Sequence, residues 1–248
     1  QDLGHAVVLV IGDFTARIGD PTDRRAARQP MTADQVRANM RLYKKQAAKI
    51  LDFSATHKSP ARIVYNTRWL AKLKFADIID IAHHFTVQQL LERDMFAERI
   101  QSARPIHLHE FLYPVMQGYD SVALYVDMEI GGTDQLFNML AGRTLMQKMN
   151  GKEKIVMTHE LLEGLDGRKM SKSYGNIVGI ADAYDAMFGK IMSLADKLVP
   201  KYFWLCTDAS QKDVRFIEKR LQKGENPRDI KMELAEMIVA IYHSPEKA

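Results

Sequence analysis

Ala6-Val7-Val8-Leu9-Val10-Ile11-Gly12-Asp13 is the stretch on which the fold turns. The run is short, rich in β-branched residues and free of charge until it stops at a glycine and a carboxylate. That pattern reads as a strand buried on both faces of a parallel sheet. Working outward, Ala61 to Tyr65, Tyr125 to Ile130 and Lys154 to Met157 read as further strands. Helical periodicity fills the intervals: Thr32 caps a helix through Leu51, more helices run from Trp69 to Arg99, one spans Glu110 to Leu124, and one spans Asp134 to Lys148. Strand alternating with helix predicts an α/β fold, a mostly parallel sheet carrying a helical insertion. Beyond Ile180 the strand pattern ends. Asp182 to Tyr242 reads as amphipathic helices punctuated by Pro200, Ser210 and Pro227. Residues 1–180 are therefore expected to form the α/β domain and 181–248 an α-helical one.

The composition is that of an ordinary globular chain: 248 residues, 46% hydrophobic and 27% charged. Basic residues outnumber acidic ones by 35 to 31, for a net charge of +4, which favours an anionic partner without proving one. Cys206 is the lone cysteine, so an internal disulfide is excluded and a reducing cytoplasm is expected. No apolar run reaches membrane-spanning length and no signal peptide stands at the start.

In open parallel sheets ligands bind past the carboxyl ends of the strands, so polar groups at those points carry the most weight. After the first strand, Gly12 to Pro21 offers glycines for close approach and Asp20, which either holds an ammonium group or caps a turn before Pro21. After the third, Gly131-Gly132-Thr133-Asp134-Gln135 opens a helix with a carboxylate and an amide suited to a ribose or a substrate amine; a plain N-cap is the competing role. Tyr113, Gln117 and Asp120 stand at i, i+4 and i+7, on one helix face. Leu112, Val115, Met116 and Tyr119 argue that this helix is buried, which favours a pocket for an amino acid's ammonium and polar tail over a solvated stripe.

Arg168-Lys169-Met170-Ser171-Lys172-Ser173 places two lysines three apart on a small polar segment flanked by glycines. Ammonium groups at that spacing can neutralise charge developing on a triphosphate attacked at its α-phosphorus, and the serines add donors. The glycines read as hinges that let the segment close over a ligand.

Together these residues resemble the class I aminoacyl-tRNA synthetases, and within them the bacterial tyrosyl-tRNA synthetases, along most of the chain. The resemblance implies a Rossmann-like catalytic domain and a helical domain on the tRNA anticodon side. It also implies activation of tyrosine with ATP, accompanied by Mg²⁺, then transfer to tRNA(Tyr). Lys169, Met170, Ser171, Lys172 and Ser173 resemble the second class-defining motif, with Lys169 and Lys172 on the phosphates. By the same resemblance Asp20, Tyr113 and Gln117 surround the substrate ammonium, and Asp120 accepts from the phenol. Gly131, Gly132 and Asp134 serve the adenylate, and Gln135 the tyrosyl portion. Arg24 and Arg28 occupy a loop where the family carries basic residues that assist pyrophosphate departure.

The chain departs from the family in one respect. Class I synthetases carry an earlier His-x-Gly-His motif opening a helix, whereas Leu3-Gly4-His5 here leads into a strand. His5 is read as structural, and the chain as trimmed at both ends, short of the histidine motif and of the C-terminal module. Alternatives are a tryptophanyl-tRNA synthetase and a non-catalytic synthetase-like RNA-binding module. His83-His84 and His107-x-His109 lack acidic or cysteine companions at zinc spacing, so no metal site is assigned. Tyr202, Phe203 and Trp204 point in different directions around a helix and read as an apolar cluster. Arg215, Lys219, Arg220 and Lys223 form a basic stripe that touches tRNA or simply faces water. By resemblance, residues 76–124 supply a homodimer surface.

Overall fold

The computed structural model describes residues 1–21 and 32–248. The chain divides into two compact units, one made of Gln1–Leu42 and Ser54–Leu161, the other of Tyr43–Phe53 and Leu162–Ala248.

The first unit begins with β1 (Val8–Ile11), followed by α1 (Ala33–Met40). Thr32 caps α1 in a reciprocal capping box with Gln35. The helix expected to reach Leu51 stops at Met40, and a separate α2 (Tyr43–Ala47) belongs to the second unit. β2 (Arg62–Tyr65) pairs in parallel with β1, Val8 opposite Arg62 and Ile11 opposite Tyr65. The insertion follows as α3 (Thr67–Leu70), α4 (Phe75–Ala82), α5 (Val87–Leu91) and α6 (Asp94–Gln101). Then come α7 (Leu108–Leu124), β3 (Met128–Gly132), α8 (Leu136–Asn150) and β4 (Ile155–His159). β3 pairs in parallel with β4, Met128 opposite Ile155. Tyr125, expected to start a strand, instead closes α7 with a left-handed backbone at φ 53°, so the strand begins three residues later.

Among the described residues the strands form two two-stranded parallel sheets, not one. A two-stranded sheet offers little surface for covering layers, so β1 is only partly buried and Ile130 and Ile155 are 58% and 59% exposed. The expected burial on both faces is not reached. The core lies between helices instead: Leu70, Ile81, Val115, Met116 and Leu145 pack together. α7 and α8 approach closely because Gly118 meets Gly142; a Cβ on Gly118 would stand 2.9 Å from the Gly142 nitrogen. Lys154 is buried beside them, donating to the Ser121 hydroxyl and the Met139 carbonyl at 2.9 Å each and to the Glu129 carboxylate. That pairing ties α7, α8 and β3 to the start of β4. Arg99 and Glu110 form a second buried ion pair at 2.7 Å, fixing α6 to the first turn of α7.

The second unit is helical: α9 (Tyr184–Met192), α10 (Val199–Cys206), α11 (Gln211–Gln222) and α12 (Pro227–Tyr242). Met187, Ile191, Leu194, Ile230 and Leu234 form its core. Pro200 does not interrupt a helix but sits in the first turn of α10, where its missing N–H has no partner to lose. Tyr202 and Phe203 are buried and Trp204 is 52% exposed, as different directions around a helix require. The units divide near residue 161, whereas the strand pattern ends near 180. The intervening segment joins the helical unit because Leu165 enters its core and the Tyr202 hydroxyl donates to the Glu163 carbonyl at 2.7 Å.

Candidate functional site

The loop after β1 turns through a 3-10 segment, Thr15–Arg17, and reaches Asp20. The Gln135 amide donates to one Asp20 carboxylate oxygen at 3.0 Å, and the Arg93 guanidinium approaches the other at 3.5 Å. Gln135 closes the 3-10 turn that starts α8, so the β3 loop and the β1 loop meet through this contact. Asn138, fully buried one turn further on, donates to the Gln135 and Gln117 carbonyl oxygens at 2.9 Å each. Asp20, Gln135, Asn138 and Gln117 thus form one bonded chain. Burial draws the Arg93 pKa down while Asp20, Tyr113 and Asp134 oppose the shift, which places Tyr113 and Asp134 in the same electrostatic neighbourhood.

Asp120 lies one turn beyond Gln117 on α7. Trp69 Nε1 donates to Asp120 Oδ1 at 2.7 Å and Asn66 Nδ2 to Oδ2 at 3.2 Å. Asn66 is itself held: its Oδ1 accepts from the Phe14 backbone at 2.9 Å, and its Nδ2 reaches Thr15 Oγ1 at 3.1 Å. Burial pushes the Asp120 carboxyl up to about 7. The Trp69 and Asn66 donors work against that rise, and the charges of Glu129 and Asp13 add to it.

Asp134 is exposed, its Oδ2 3.3 Å from Gln135 Nε2, and a Cβ on Gly132 would collide with it at 2.5 Å. The absence of a side chain at Gly132 thus leaves room for the carboxylate in this rotamer. Gly131 makes a similar close approach to the Met139 sulfur, at 3.0 Å.

The lysine segment belongs to the second unit. Lys169 pairs with Glu163 in a single antiparallel bridge, and Lys172 to Tyr174 makes a 3-10 turn carrying Ser173. Lys169 is exposed while Met170 and Ser171 are half-buried. Arg168 binds Asp166 at 2.5 Å and stacks on the Tyr174 ring, its guanidinium carbon 4.5 Å from the centroid. The bracketing glycines have specific work: Gly167 and Gly175 adopt φ +82° and +64°, and a Cβ on Gly164 would overlap Asn176. Arg24 and Arg28 lie outside the described residues.

The structure therefore brings Asp20, Gln117, Gln135 and, through Arg93, Tyr113 and Asp134 to one place, with Asp120 a turn away. Sequence reasoning missed Asn66, Trp69, Arg93 and Asn138. Asn66 was findable, because it directly follows β2, where the strand-end rule looks; Arg93 left no signal. The stripe on α11 is smaller than expected, because Arg220 is bound to Glu225 and to Glu233, the latter contact at 2.6 Å. A hollow of about 510 Å³ flanks α8, lined by Leu140, Arg143, Thr144, Gln147 and others, on the helix face opposite Asn138.

Parallel strand pairs joined through helices, with polar side chains gathered past the strand ends, define an α/β ligand-binding protein. The family model for tRNA synthetases class I (W and Y) matches residues 1–248. The chain belongs to that family. It is 48% identical over 250 residues to a tyrosine–tRNA ligase of Moorella thermoacetica, covering 100% of this chain and 59% of the relative. For a tyrosine–tRNA ligase of Thermotoga maritima the identity is 47%, with 100% and 61% covered. The chain thus spans about three fifths of the length of these curated relatives.

Among solved structures, a C-terminally truncated mitochondrial tyrosyl-tRNA synthetase of Aspergillus nidulans superposes with TM-score 0.74 at 21% identity, covering 99% of this chain and 74% of that one. A tyrosyl-tRNA synthetase of Archaeoglobus fulgidus complexed with L-tyrosine gives 0.71 at 17%, covering 99% and 81%. A tryptophanyl-tRNA synthetase of Campylobacter jejuni gives 0.58 at 16%, covering 99% and 79%. At these identities the likeness is one of fold.

Proposed function

We propose that this chain is the catalytic portion of a tyrosine–tRNA ligase, which activates tyrosine with ATP and passes it to tRNA(Tyr). One observation carries the reading of an amino-acid pocket for a side chain tipped with a donor: a buried carboxylate, Asp120, is held by two donors one helical turn from the bonded chain of Asp20, Gln135, Asn138 and Gln117. A phenolic hydroxyl donates to Asp120, whose carboxylate keeps lone pairs beyond those used by Trp69 and Asn66. At the other end Asp20 and the Gln117 carbonyl accept from the ammonium group, with Tyr113 beside them. Tyr113 to Asp120 rises roughly 10 Å along α7, enough for tyrosine to lie alongside the helix. A tryptophan indole N–H would also donate to this carboxylate, so the choice of tyrosine over tryptophan rests on the curated relatives cited, which are tyrosine ligases.

Asp134, exposed at the mouth, accepts from the ribose hydroxyls; Gly131 and Gly132 allow the adenylate to approach the backbone. Lys169 and Lys172 neutralise the triphosphate as the tyrosine carboxylate attacks the α-phosphorus, with Met170, Ser171 and Ser173 forming the rest of that segment. No side chain needs to act as nucleophile, so positioning and charge carry the step. Arg24 and Arg28 are assigned to the departing pyrophosphate from sequence alone. Among the described residues no three acidic, histidine or cysteine side chains converge on one point. Magnesium, if it accompanies ATP, would supply positive charge that offsets the phosphates.

The helices within residues 181–248 are assigned to the tRNA side. The exposed apolar side chains of Ile79, Val87 and Leu108 support a homodimer contact within residues 76–124. A cytoplasmic location goes with the tRNA-charging role. Among the described residues no helix is long and apolar enough to cross a membrane.

Tyrosine-dependent exchange of labelled pyrophosphate into ATP, measured on the full-length protein, tests this assignment. Exchange with tyrosine and none with tryptophan is expected. Exchange with tryptophan alone moves the protein to the other branch of the family, and exchange with neither favours the non-catalytic RNA-binding alternative.

A further inference from the structure

Asn176, three residues past the lysine segment, is 4% exposed, and its side chain bonds to that segment and to Asp166 just before it. Its Oδ1 accepts from the Ser171 backbone N–H at 2.9 Å; its Nδ2 donates to Asp166 Oδ1 at 2.9 Å and reaches the Lys169 carbonyl at 3.3 Å. Its own carbonyl accepts from the Leu165 N–H at 3.0 Å, anchoring it to the core of the helical unit. A Cβ on Gly164 would overlap this carboxamide, so Gly164 leaves the space that Asn176 fills. Asp166 in turn binds Arg168 and the Arg168 backbone N–H, at 2.7 and 3.0 Å. Its Asn176 and Arg168 partners hold the carboxyl well below the usual carboxylate range.

We propose that Asn176 is a positioning residue that fixes the backbone of Lys169 and Ser171, so that the lysine ammonium groups meet the triphosphate without first having to be ordered. A buried carboxamide is a costly way to hold an exposed loop unless its shape matters, because each of its polar atoms must be satisfied. Here donor and acceptor both go to the loop, and Gly164 and the Asp166 carboxylate serve the same small arrangement. Preordering removes an entropy cost that the bound nucleotide would otherwise meet. The proposal rests on the lysine segment acting on ATP, as assigned above.

The test uses Asn176→Ala and Gly164→Ala in the full-length protein, the second crowding the same carboxamide from outside the loop. Misplacing a catalytic group by about an ångström can cost roughly 10²-fold, so single-turnover tyrosine activation is expected to fall by about 10- to 100-fold in both, with tyrosine affinity changed less than about twofold. Amide exchange at Ser171 is expected to accelerate by about tenfold or more in Asn176→Ala, because its hydrogen bond is lost.

Should Asn176→Ala fail to fold, the isosteric Asn176→Asp decides. It keeps the acceptor for Ser171 but faces Asp166 and the Lys169 carbonyl with a second oxygen, so activation should fall at high pH and recover as the new carboxyl takes up a proton. Unchanged activation in both Gly164→Ala and the Asn176 variant that folds, or unchanged Ser171 protection in Asn176→Ala, overturns the positioning role. Lys169→Ala in the same assay separates the two levels. If it is silent, the lysine segment has no part in activation and the underlying reading fails first; if it is damaging while Asn176→Ala is not, only the proposal made here fails.

Discussion

Around Asp120 the polar atoms are buried and bonded to one another, whereas at Lys169 the chain is exposed and only the base of the loop, at Asn176, is buried. The difference fits the two tasks proposed for these regions. A buried acceptor that is costly to leave unpaired suits the proposed selection of one amino acid from another, and Asp120 is desolvated and held from two sides. Neutralising a triphosphate, the role proposed for Lys169, calls for a hydrated ammonium group, and Lys169 is exposed above a backbone held by Asn176. A single pocket built on either plan would do the other task poorly: burial would discharge the lysines, and exposure would blunt the carboxylate's selectivity.

Breaking the exposed side of this comparison should have the largest effect. Lys169→Ala, or Lys172→Ala, is expected to slow single-turnover tyrosine activation by roughly 10²–10³-fold, the usual cost of one preorganised transition-state contact, while tyrosine binding stays near its starting value. A loss below tenfold removes the segment from the chemistry. Breaking the buried side should change selectivity more than rate. Asp120→Ala is expected to narrow the tyrosine-over-phenylalanine ratio of kcat/KM by about 10- to 100-fold, the equivalent of one buried acceptor left without its donor. An unchanged ratio takes Asp120 out of phenol recognition.

Proton uptake sharpens the same contrast. With a carboxyl raised to about 7, Asp120 is ionised above that pH and protonated below it. If the ionised form is the phenol acceptor, KM for tyrosine should rise by about fivefold between pH 7 and pH 6 and flatten above pH 8; Asp120→Asn should abolish the slope. The sign for stability runs the other way. A carboxyl raised on folding stabilises the fold fully below the ordinary carboxylate range and loses that contribution as pH climbs through 7. Chemical denaturation of the first unit at pH 5 and pH 8 measures it. The smallest effect belongs to Trp69→Phe, which removes one donor to the ionised carboxylate at a cost of about 1 kcal/mol, moving the midpoint of the tyrosine KM profile upward by a fraction of a pH unit. A downward shift would mean that Trp69 does not favour the charged form.

The sequence by itself determined the order of strands and helices, because local periodicity records which face each segment buries. Thr32 and Ser210 mark helix starts through their own side chains, and Gly131 to Gln135 marks a strand end. Pattern also placed Tyr113, Gln117 and Asp120 on one helix face, since 3.6 residues per turn is a property of the backbone alone. Tertiary structure decided what those faces meet. That Asp120 is clasped by Asn66 and Trp69, that Asn138 bridges Gln117 to Gln135, and that Arg93 reaches Asp20 are contacts between residues from 3 to 73 positions apart. The break after Met40, the assignment of Tyr43 to Phe53 to the helical unit and the division into two small sheets were settled in the same way. Periodicity shows that a surface is apolar or polar, but the partner that covers it is chosen by packing density and hydrogen-bond satisfaction across the whole chain, quantities to which no local window has access.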